Sequence, residues 1–301
     1  MGKVKTRSGF ISLIGKPNVG KSTLLNALLG EKIAIVSNKP QTTRSNLVGI
    51  LTDKDTQMIF LDTPGIHNPK TKLGECMVEA AFGSLAESDL ILLLVEPNMP
   101  LQIVKQDILE KLGNVRTPVF LIINKIDTVA KEPLLELMAA YSKAFPFTEI
   151  IPISALEKDG LEELKGLIRS NLDEGPFYYP EDQIADVPER QIVAEIIREK
   201  ALWLLDHEIP HGIAVSIEKM KEDESRGLVH VAAEIYCEKE SHKGIIIGKG
   251  GAMLKKISTL ARKEMELLLG CKVYLEVWVK VREEWRNNRL MLHNFGLDNK
   301  E

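Results

Sequence analysis

Eight consecutive residues, Gly15-Lys16-Pro17-Asn18-Val19-Gly20-Lys21-Ser22, constrain this chain more than any other stretch. They fit the pattern G-x-x-x-x-G-K-S/T. They follow an apolar run at residues 10–14 and precede a helical periodicity at residues 23–29, beginning with Thr23. A strand that feeds a helix through a tight glycine loop belongs to layered α/β folds, and it is the context this pattern requires. The glycines let backbone N–H groups face an anion with no Cβ in the way, and the helix start adds positive potential. Lys21 would neutralise charge on β- and γ-phosphates, and the Ser22 hydroxyl would ligate Mg²⁺.

Further apolar runs at residues 58–61, 90–95, 119–123 and 150–153 read as buried strands. Between several of them lie helical periodicities, as at residues 103–112 and 134–141. That alternation predicts a doubly wound, mostly parallel sheet. Residues 46–52 lie close before the 58–61 run and read as its hairpin partner. Residues 173–190, with Pro176, Pro180, Pro188 and scattered acids, break the pattern. The expected organisation is an α/β P-loop domain over residues 1–174, a connecting segment over 175–190, and an α+β domain over 191–301. The second domain reads as a helix at 191–205, strands near 213–219 and 228–237, a helical stretch carrying Gly248-Lys249-Gly250-Gly251, a strand at 272–280 and a basic tail.

Composition excludes several classes. Acids exceed bases by 43 to 39, which rules out a globally basic nucleic-acid coat but not a local patch. With 27% charged and 44% hydrophobic residues, neither disorder nor a collagen-like repeat describes the whole chain. The run at 90–95 is the longest apolar one in the first domain, far short of the ~20 residues of a membrane-spanning helix. Cys76, Cys237 and Cys271 lack C-x-x-C spacing and read as structural thiols in a reducing cytosol. Residues 1–10 are basic and lack the apolar core of a secretion signal. Met1-Gly2-Lys3-Val4-Lys5-Thr6 fits the loose N-myristoylation pattern, but a short lead into the first strand describes it better.

A phosphate loop alone does not separate ATPases, kinases and GTPases. Asn124-Lys125-Ile126-Asp127, at the end of the 119–123 strand, does. A carboxylate at Asp127 can accept hydrogen bonds from N1–H and the 2-amino group of guanine. Adenine offers neither donor there and would leave the carboxylate unpaired. Ser154-Ala155-Leu156 follows the next strand and would support the base through backbone contacts. Asp62-Thr63-Pro64-Gly65 ends the 58–61 strand: Asp62 is placed to hold Mg²⁺ through water, and the Gly65 N–H to sense a γ-phosphate. Gln41-Thr42-Thr43-Arg44, continuing to Ser45, lies between the phosphate loop and Asp62 and reads as the first switch. One of its threonines should complete the Mg²⁺ shell, Thr43 before Thr42.

The ordered motifs resemble the translation-factor-like GTPases and, within them, the Era family. The resemblance implies GTP and GDP as ligands, Mg²⁺ as cofactor, and roles for Lys21, Thr43 and Gly65 in hydrolysis. Ile66 follows the D-T-P-G motif where Ras-like enzymes carry a water-orienting glutamine, so intrinsic hydrolysis should be slow or should use another group. Some GTPases with this apolar replacement bind K⁺ beside a phosphate-loop asparagine, and Asn18 occupies the matching position. In the second domain, the Gly248-Lys249-Gly250-Gly251 turn lies in a stretch, residues 241–263, with six basic residues and no acid, among them Lys243, Lys249, Lys255 and Lys256. A G-x-x-G turn between helices brings backbone close to single-stranded RNA phosphates. The element order resembles a type II KH domain. A KH domain after this GTPase domain is the Era arrangement, which implies binding of the 3′ end of small-subunit ribosomal RNA and a role in maturing the small ribosomal subunit. A cytoplasmic monomer is expected, with peripheral contact at the inner face of the cell membrane left open. Trp278 and Trp285, with Lys280, Arg282, Arg286 and Arg289, could extend the RNA contact or pack on the surface. The rival readings are a vestigial nucleotide fold serving an RNA-binding module, a small-molecule kinase, and a membrane signalling GTPase.

Overall fold

The computed structural model describes residues 5–223 and 227–298. Met1-Gly2-Lys3-Val4, the start of the lipidation-like pattern, lie outside the described residues. The chain divides into two units. The first takes in residues up to Ala34, then Thr43–Pro69 and Gly74–Asp186. The second takes in Ile35–Thr42, Lys70–Leu73 and residues from Val187 onward.

In the first unit the chain runs through β1 (Arg7–Gly15), α1 (Lys21–Leu29), β2 (Leu47–Asp53), β3 (Thr56–Asp62), α2 (Lys72–Gly83, whose first two residues belong to the second unit) and β4 (Leu90–Val95). There follow α3 (Leu101–Val104), a π-helical turn (Lys105–Leu109), α4 (Glu110–Leu112), β5 (Val119–Ile123), α5 (Lys131–Ala144), β6 (Glu149–Pro152) and α6 (Leu161–Asn171). The sheet order is β2-β3-β1-β4-β5-β6, with only β2 antiparallel to its neighbour. Strands buried on both faces are apolar without alternation, and β4 shows why. Leu90, Leu92 and Leu94 join one core with Leu24, Leu25 and Leu28 of α1 and Leu164 and Ile168 of α6. Ile91, Leu93 and Val95 join a second core with Val104, Leu112 and Tyr141 on the opposite face. Because β3, β1, β4, β5 and β6 run parallel, the loops that follow them leave the sheet at one edge, where ligands of such sheets bind.

The proline-rich stretch is not a free tether. Residues 175–186 lie along the first unit. The Ile50 N–H donates to the Ile184 carbonyl (2.9 Å), and the Asp186 N–H donates to that of Val48 (3.1 Å). The Gln57 amide binds the backbone at Tyr178 and Tyr179. The stretch thereby covers β2, the otherwise open edge of the sheet.

The second unit runs α7 (Glu189–Leu204), β7 (Ala214–Asp223), β8 (Leu228–Cys237), α8 (Glu240–Ile247), α9 (Ala252–Leu269), β9 (Lys272–Val281) and α10 (Arg289–Asn294). Its three-stranded sheet has the order β7-β8-β9, antiparallel then parallel. Val193, Ile197 and Ala201 of α7 and Ile257, Ala261 and Met265 of α9 bury one face of that sheet, against Val229, Val231, Ala233 and Ile235. On β9, alternation leaves Tyr274 and Trp278 exposed. Trp285 is fully buried, its indole N–H donating to the Gly212 carbonyl at 2.9 Å, so of the two tryptophans only Trp278 offers a free face. Lys280 and Arg286 are engaged by Glu234 and Glu238.

Candidate functional site

The phosphate loop joins β1 to α1. Gly20 has φ +98°, and a Cβ there would lie 2.2 Å from the Asn124 side-chain nitrogen, so only glycine lets Asn124 approach. Asn124 is buried and links three segments. Its amide donates to the Val19 carbonyl (2.8 Å) and its oxygen accepts from the Ala155 N–H (3.0 Å). The Lys125 ammonium donates to the Asn18 carbonyl (2.7 Å) and pairs with Glu96 (2.8 Å). Asp127 accepts from the Ser154 hydroxyl at 2.5 Å, which orients the carboxylate. The Ile126 N–H donates to the Ile153 carbonyl at 3.2 Å, and Leu156 is exposed. Lys16 pairs with Asp107 of the π-helical turn. Glu96 and Asp107 were not among the residues singled out in the sequence; neither sits in a recognisable motif, and only the fold brings them here.

The switch elements meet at Ser22. Its hydroxyl lies 2.6 Å from Asp62 Oδ2 and 2.9 Å from the Thr43 hydroxyl, which is 3.4 Å from the same carboxylate oxygen. Thr42 turns its hydroxyl to the Lys39 carbonyl at 2.7 Å, within its own loop. Gln41 takes a left-handed backbone with φ +62°, while Arg44 is buried and Ser45 half-buried. Thr63 donates to the Leu13 carbonyl at 2.6 Å, holding the D-T-P-G strand end to β1. A Cβ on Gly65 would sit 2.7 Å from Pro17, which is how closely the two loops approach. The Ile66 side chain is 2% exposed, packed in the core, and its N–H donates to the Gly15 carbonyl at 2.9 Å. Ile66 thus ties the loops together through its backbone and presents no side chain to a ligand.

Lys21 and Asp62 are both buried. Burial lowers the Lys21 ammonium from its ordinary 10.5 to about 8, opposed by the charge of Asp62. Burial likewise raises Asp62 above the usual carboxylate range, opposed by Lys21, Ser22 and Thr43. Among the described residues Asp62 Oδ1 is buried with no hydrogen-bond partner, and Lys21 donates to the Gly15 and Lys16 carbonyls (3.3 and 3.1 Å). A buried carboxylate with an unmet oxygen, two converging hydroxyls and a desolvated ammonium is a donor set that suits a divalent cation and a polyphosphate.

In the second unit, Gly248, Gly250 and Gly251 all have positive φ, between +60° and +79°. The turn joins α8 to α9 and leaves Lys249, Lys255 and Lys256 exposed, while Lys243 is half-buried, 3.9 Å from Glu240.

Two family descriptions match the chain: "50S ribosome-binding GTPase" over residues 10–125 and "KH domain" over residues 208–286. GTPase Era of Clostridium kluyveri is 56% identical over 290 residues, covering 96% of this chain and 99% of that protein. GTPase Era of Ruminiclostridium cellulolyticum is 53% identical over 290 residues, covering 96% and 97%. Among solved structures, an Aquifex aeolicus Era variant bound to GDP and aluminium fluoride is similar with a TM-score of 0.92 and 43% identity, covering 97% of this chain and 100% of that one. An Era structure in complex with MgGDPNP and nucleotides 1506–1542 of 16S ribosomal RNA gives 0.92 and 43%, covering 97% and 99%.

Proposed function

The chain belongs to the Era family of GTPases, and from there we propose that it acts as a nucleotide-dependent switch in the maturation of the small ribosomal subunit. It hydrolyses GTP and binds small-subunit ribosomal RNA. One matching description names the large subunit, but it covers only residues 10–125; the match to the RNA-bearing relative covers 97% of this chain and 99% of that one. The small-subunit reading therefore takes precedence.

The observation that carries the proposal is the convergence of Ser22, Thr43 and the unmet Asp62 oxygen beside Lys21. Ser22, Thr43 and Asp62 would hold Mg²⁺, Asp62 through water. The bound ion would neutralise charge developing on the phosphates. Lys21 holds β- and γ-phosphate oxygens, and the Gly65 N–H meets the γ-phosphate. Asp127, oriented by Ser154, reads guanine. Asn18, on an exposed turn of the loop with φ +66°, would help hold K⁺, whose charge would act where Ile66 offers none. In the second domain, Lys243, Lys249, Lys255, Lys256 and the G-x-x-G backbone hold RNA phosphates near the 3′ end.

We assign the GTPase to residues 1–174 and RNA binding to residues 191–301, joined through 175–190. We assign the protein to the cytoplasm as a monomer, with peripheral contact at the inner face of the cell membrane left open. Crosslinking to cellular RNA, with and without a non-hydrolysable GTP analogue, tests the reading. The expected result is nucleotide-dependent crosslinking to the 3′ end of small-subunit RNA. Co-sedimentation with membrane vesicles rather than small subunits would overturn it in favour of a membrane role.

A further inference from the structure

Three consecutive charged residues in the middle of α7, Arg198, Glu199 and Lys200, are 2%, 0% and 2% exposed. Buried charges rarely add stability over apolar residues of the same size, and a role in fixing one arrangement is their best-attested use. Here they hold a single stretch of chain, within the second unit. Glu199 accepts from the Val36 N–H at 2.8 Å and from Lys200 at 2.6 Å. The Trp203 indole N–H donates to the Val36 carbonyl at 2.9 Å, so both backbone groups of Val36 are bound from α7. At the other end, Arg198 donates to the Thr42 carbonyl while paired with Glu195. Between them, Lys39 reaches the Leu205 carbonyl and Asp206. Lys200 also pairs with Glu264 of α9 and lies 3.7 Å from the centre of the Trp203 ring.

Thr42 is followed directly by Thr43, whose hydroxyl faces Ser22 and Asp62. At its other side, α7 shares a core with α9, the helix that begins at the G-x-x-G turn. We propose that the Arg198–Glu199–Lys200 cluster of α7, with Trp203, is a positioning device that couples nucleotide state to RNA affinity by holding residues 36–42 in the arrangement that presents Thr43 to the metal site. The inference rests on the reading of the protein as a GTP switch that binds RNA. Any γ-phosphate-dependent ordering of Thr43 pulls on a peptide that α7 holds, and any change in α9 on RNA binding reaches the same peptide from the other side. By linkage, each ligand then alters the affinity of the other by the same factor. The network is contiguous, so its removal should lower that factor without touching either site.

The test uses the full chain and two variants. Trp203→Phe removes one hydrogen-bond donor from a half-exposed ring and preserves the stacking over Lys200. Arg198→Met removes the Thr42 anchor and leaves an apolar side chain of similar length. Fluorescence anisotropy with a labelled single-stranded oligonucleotide of the small-subunit RNA 3′ end gives the RNA affinity with MgGDPNP and with MgGDP. The wild type should show a ratio of at least about fivefold between the two states. Both variants should reduce that ratio at least about threefold, with MgGDP affinity in the absence of RNA unchanged. An unchanged ratio in the variants overturns the role of α7 and leaves the GTPase and RNA assignments standing; if Arg198→Met does not fold, Trp203→Phe decides. A wild-type ratio near one also overturns the coupling. Loss of RNA or GTP binding by the wild type itself would refute the underlying reading, and the coupling with it.

Discussion

Lys21 and Asp62 sit in one buried site and are displaced in opposite directions by the same cause. An ammonium lowered to about 8 by burial is mostly charged at neutral pH and has lost about half its protons by pH 8. Because its folded value lies below the unfolded one, Lys21 costs the empty protein stability below pH 8, a cost that fades as pH rises toward 10.5. Triphosphate oxygens beside it reverse the shift, so binding above pH 8 must take up a proton. Affinity for MgGDPNP should be flat from pH 6.5 to 7.5 and fall above pH 8, by at most about tenfold per pH unit. Calorimetric titration at pH 9 in two buffers of different ionisation enthalpy reads the proton uptake directly, and Lys21→Ala should abolish it together with most of the affinity. Zero uptake at pH 9 would mean that Lys21 does not meet the phosphates. At the other end of the site, Asp127 accepts from Ser154 and retains capacity for the base. Asp127→Asn should weaken GTP and favour xanthosine triphosphate, because an amide can donate to the xanthine O2. Each charged hydrogen bond lost costs about 1.5–3 kcal/mol. A competition assay in which GTP keeps its advantage would remove Asp127 from the base pocket.

The loop after β3 ends in Ile66, which is packed into the core, so no side chain from that position can orient an attacking water. If Asn18 helps place a monovalent cation, exchanging K⁺ for Na⁺ at constant ionic strength should slow hydrolysis at least about tenfold, less than the roughly hundredfold or more lost when a positioned electrostatic group is removed outright. Equal rates would leave Asn18 a purely structural part of the loop. In the second unit, a Cβ at Gly250 meets no atom within 4 Å. Gly250→Asp should therefore fold, since short polar residues tolerate a left-handed backbone, while placing a negative charge against RNA phosphate. The expected loss is on the order of a hundredfold in a gel shift with the RNA 3′-end fragment, allowing for salt screening, with basal phosphate release unchanged. Retained RNA affinity would exclude the turn as the contact. These elements differed in how plainly the chain announced them. β4 and β5 lie at the bounds read from the sequence, because strands covered on both faces are uninterrupted apolar runs. Asp62, Asn124 and Asp127 were legible because phosphate and guanine demand particular groups in a particular order. The helices α2 and α6 were not singled out. The packing of residues 175–186 was hidden because backbone N–H groups and one amide, Gln57, hold it rather than any hydrophobic period. The inward turn of Ile66 was likewise invisible, since an isoleucine beside a motif looks the same whether it faces ligand or core. Arg198, Glu199 and Lys200 were not singled out, because consecutive charges within a helix give no sign of burial until the fold supplies their partners.

At the scale of the whole molecule, the path of the chain matters more than any single contact. Residues Ile35–Thr42 belong to the second unit, while the residues immediately before and after them belong to the first. The chain therefore leaves the first unit and re-enters it inside the first switch. Melting the second unit frees the peptide that precedes Thr43, so the stability of each unit should depend on a ligand that binds only one. All three tryptophans, Trp203, Trp278 and Trp285, lie in the second unit, so their fluorescence reports that unit alone, whereas far-ultraviolet circular dichroism reports both. A ligand at about a thousand times its dissociation constant stabilises the form it binds by ~4 kcal/mol. For a unit of this size that corresponds to a rise in Tm on the order of 10 °C. If the shared segment links the units, saturating MgGDPNP should raise the fluorescence-detected midpoint as well as the dichroism-detected one, and Trp203→Phe should narrow the first shift more than the second. A fluorescence midpoint that stays in place while the dichroism transition splits and its first part moves upward would mean that the two units melt independently. The strip Ile35–Thr42 would then peel from α7 without consequence for the nucleotide site.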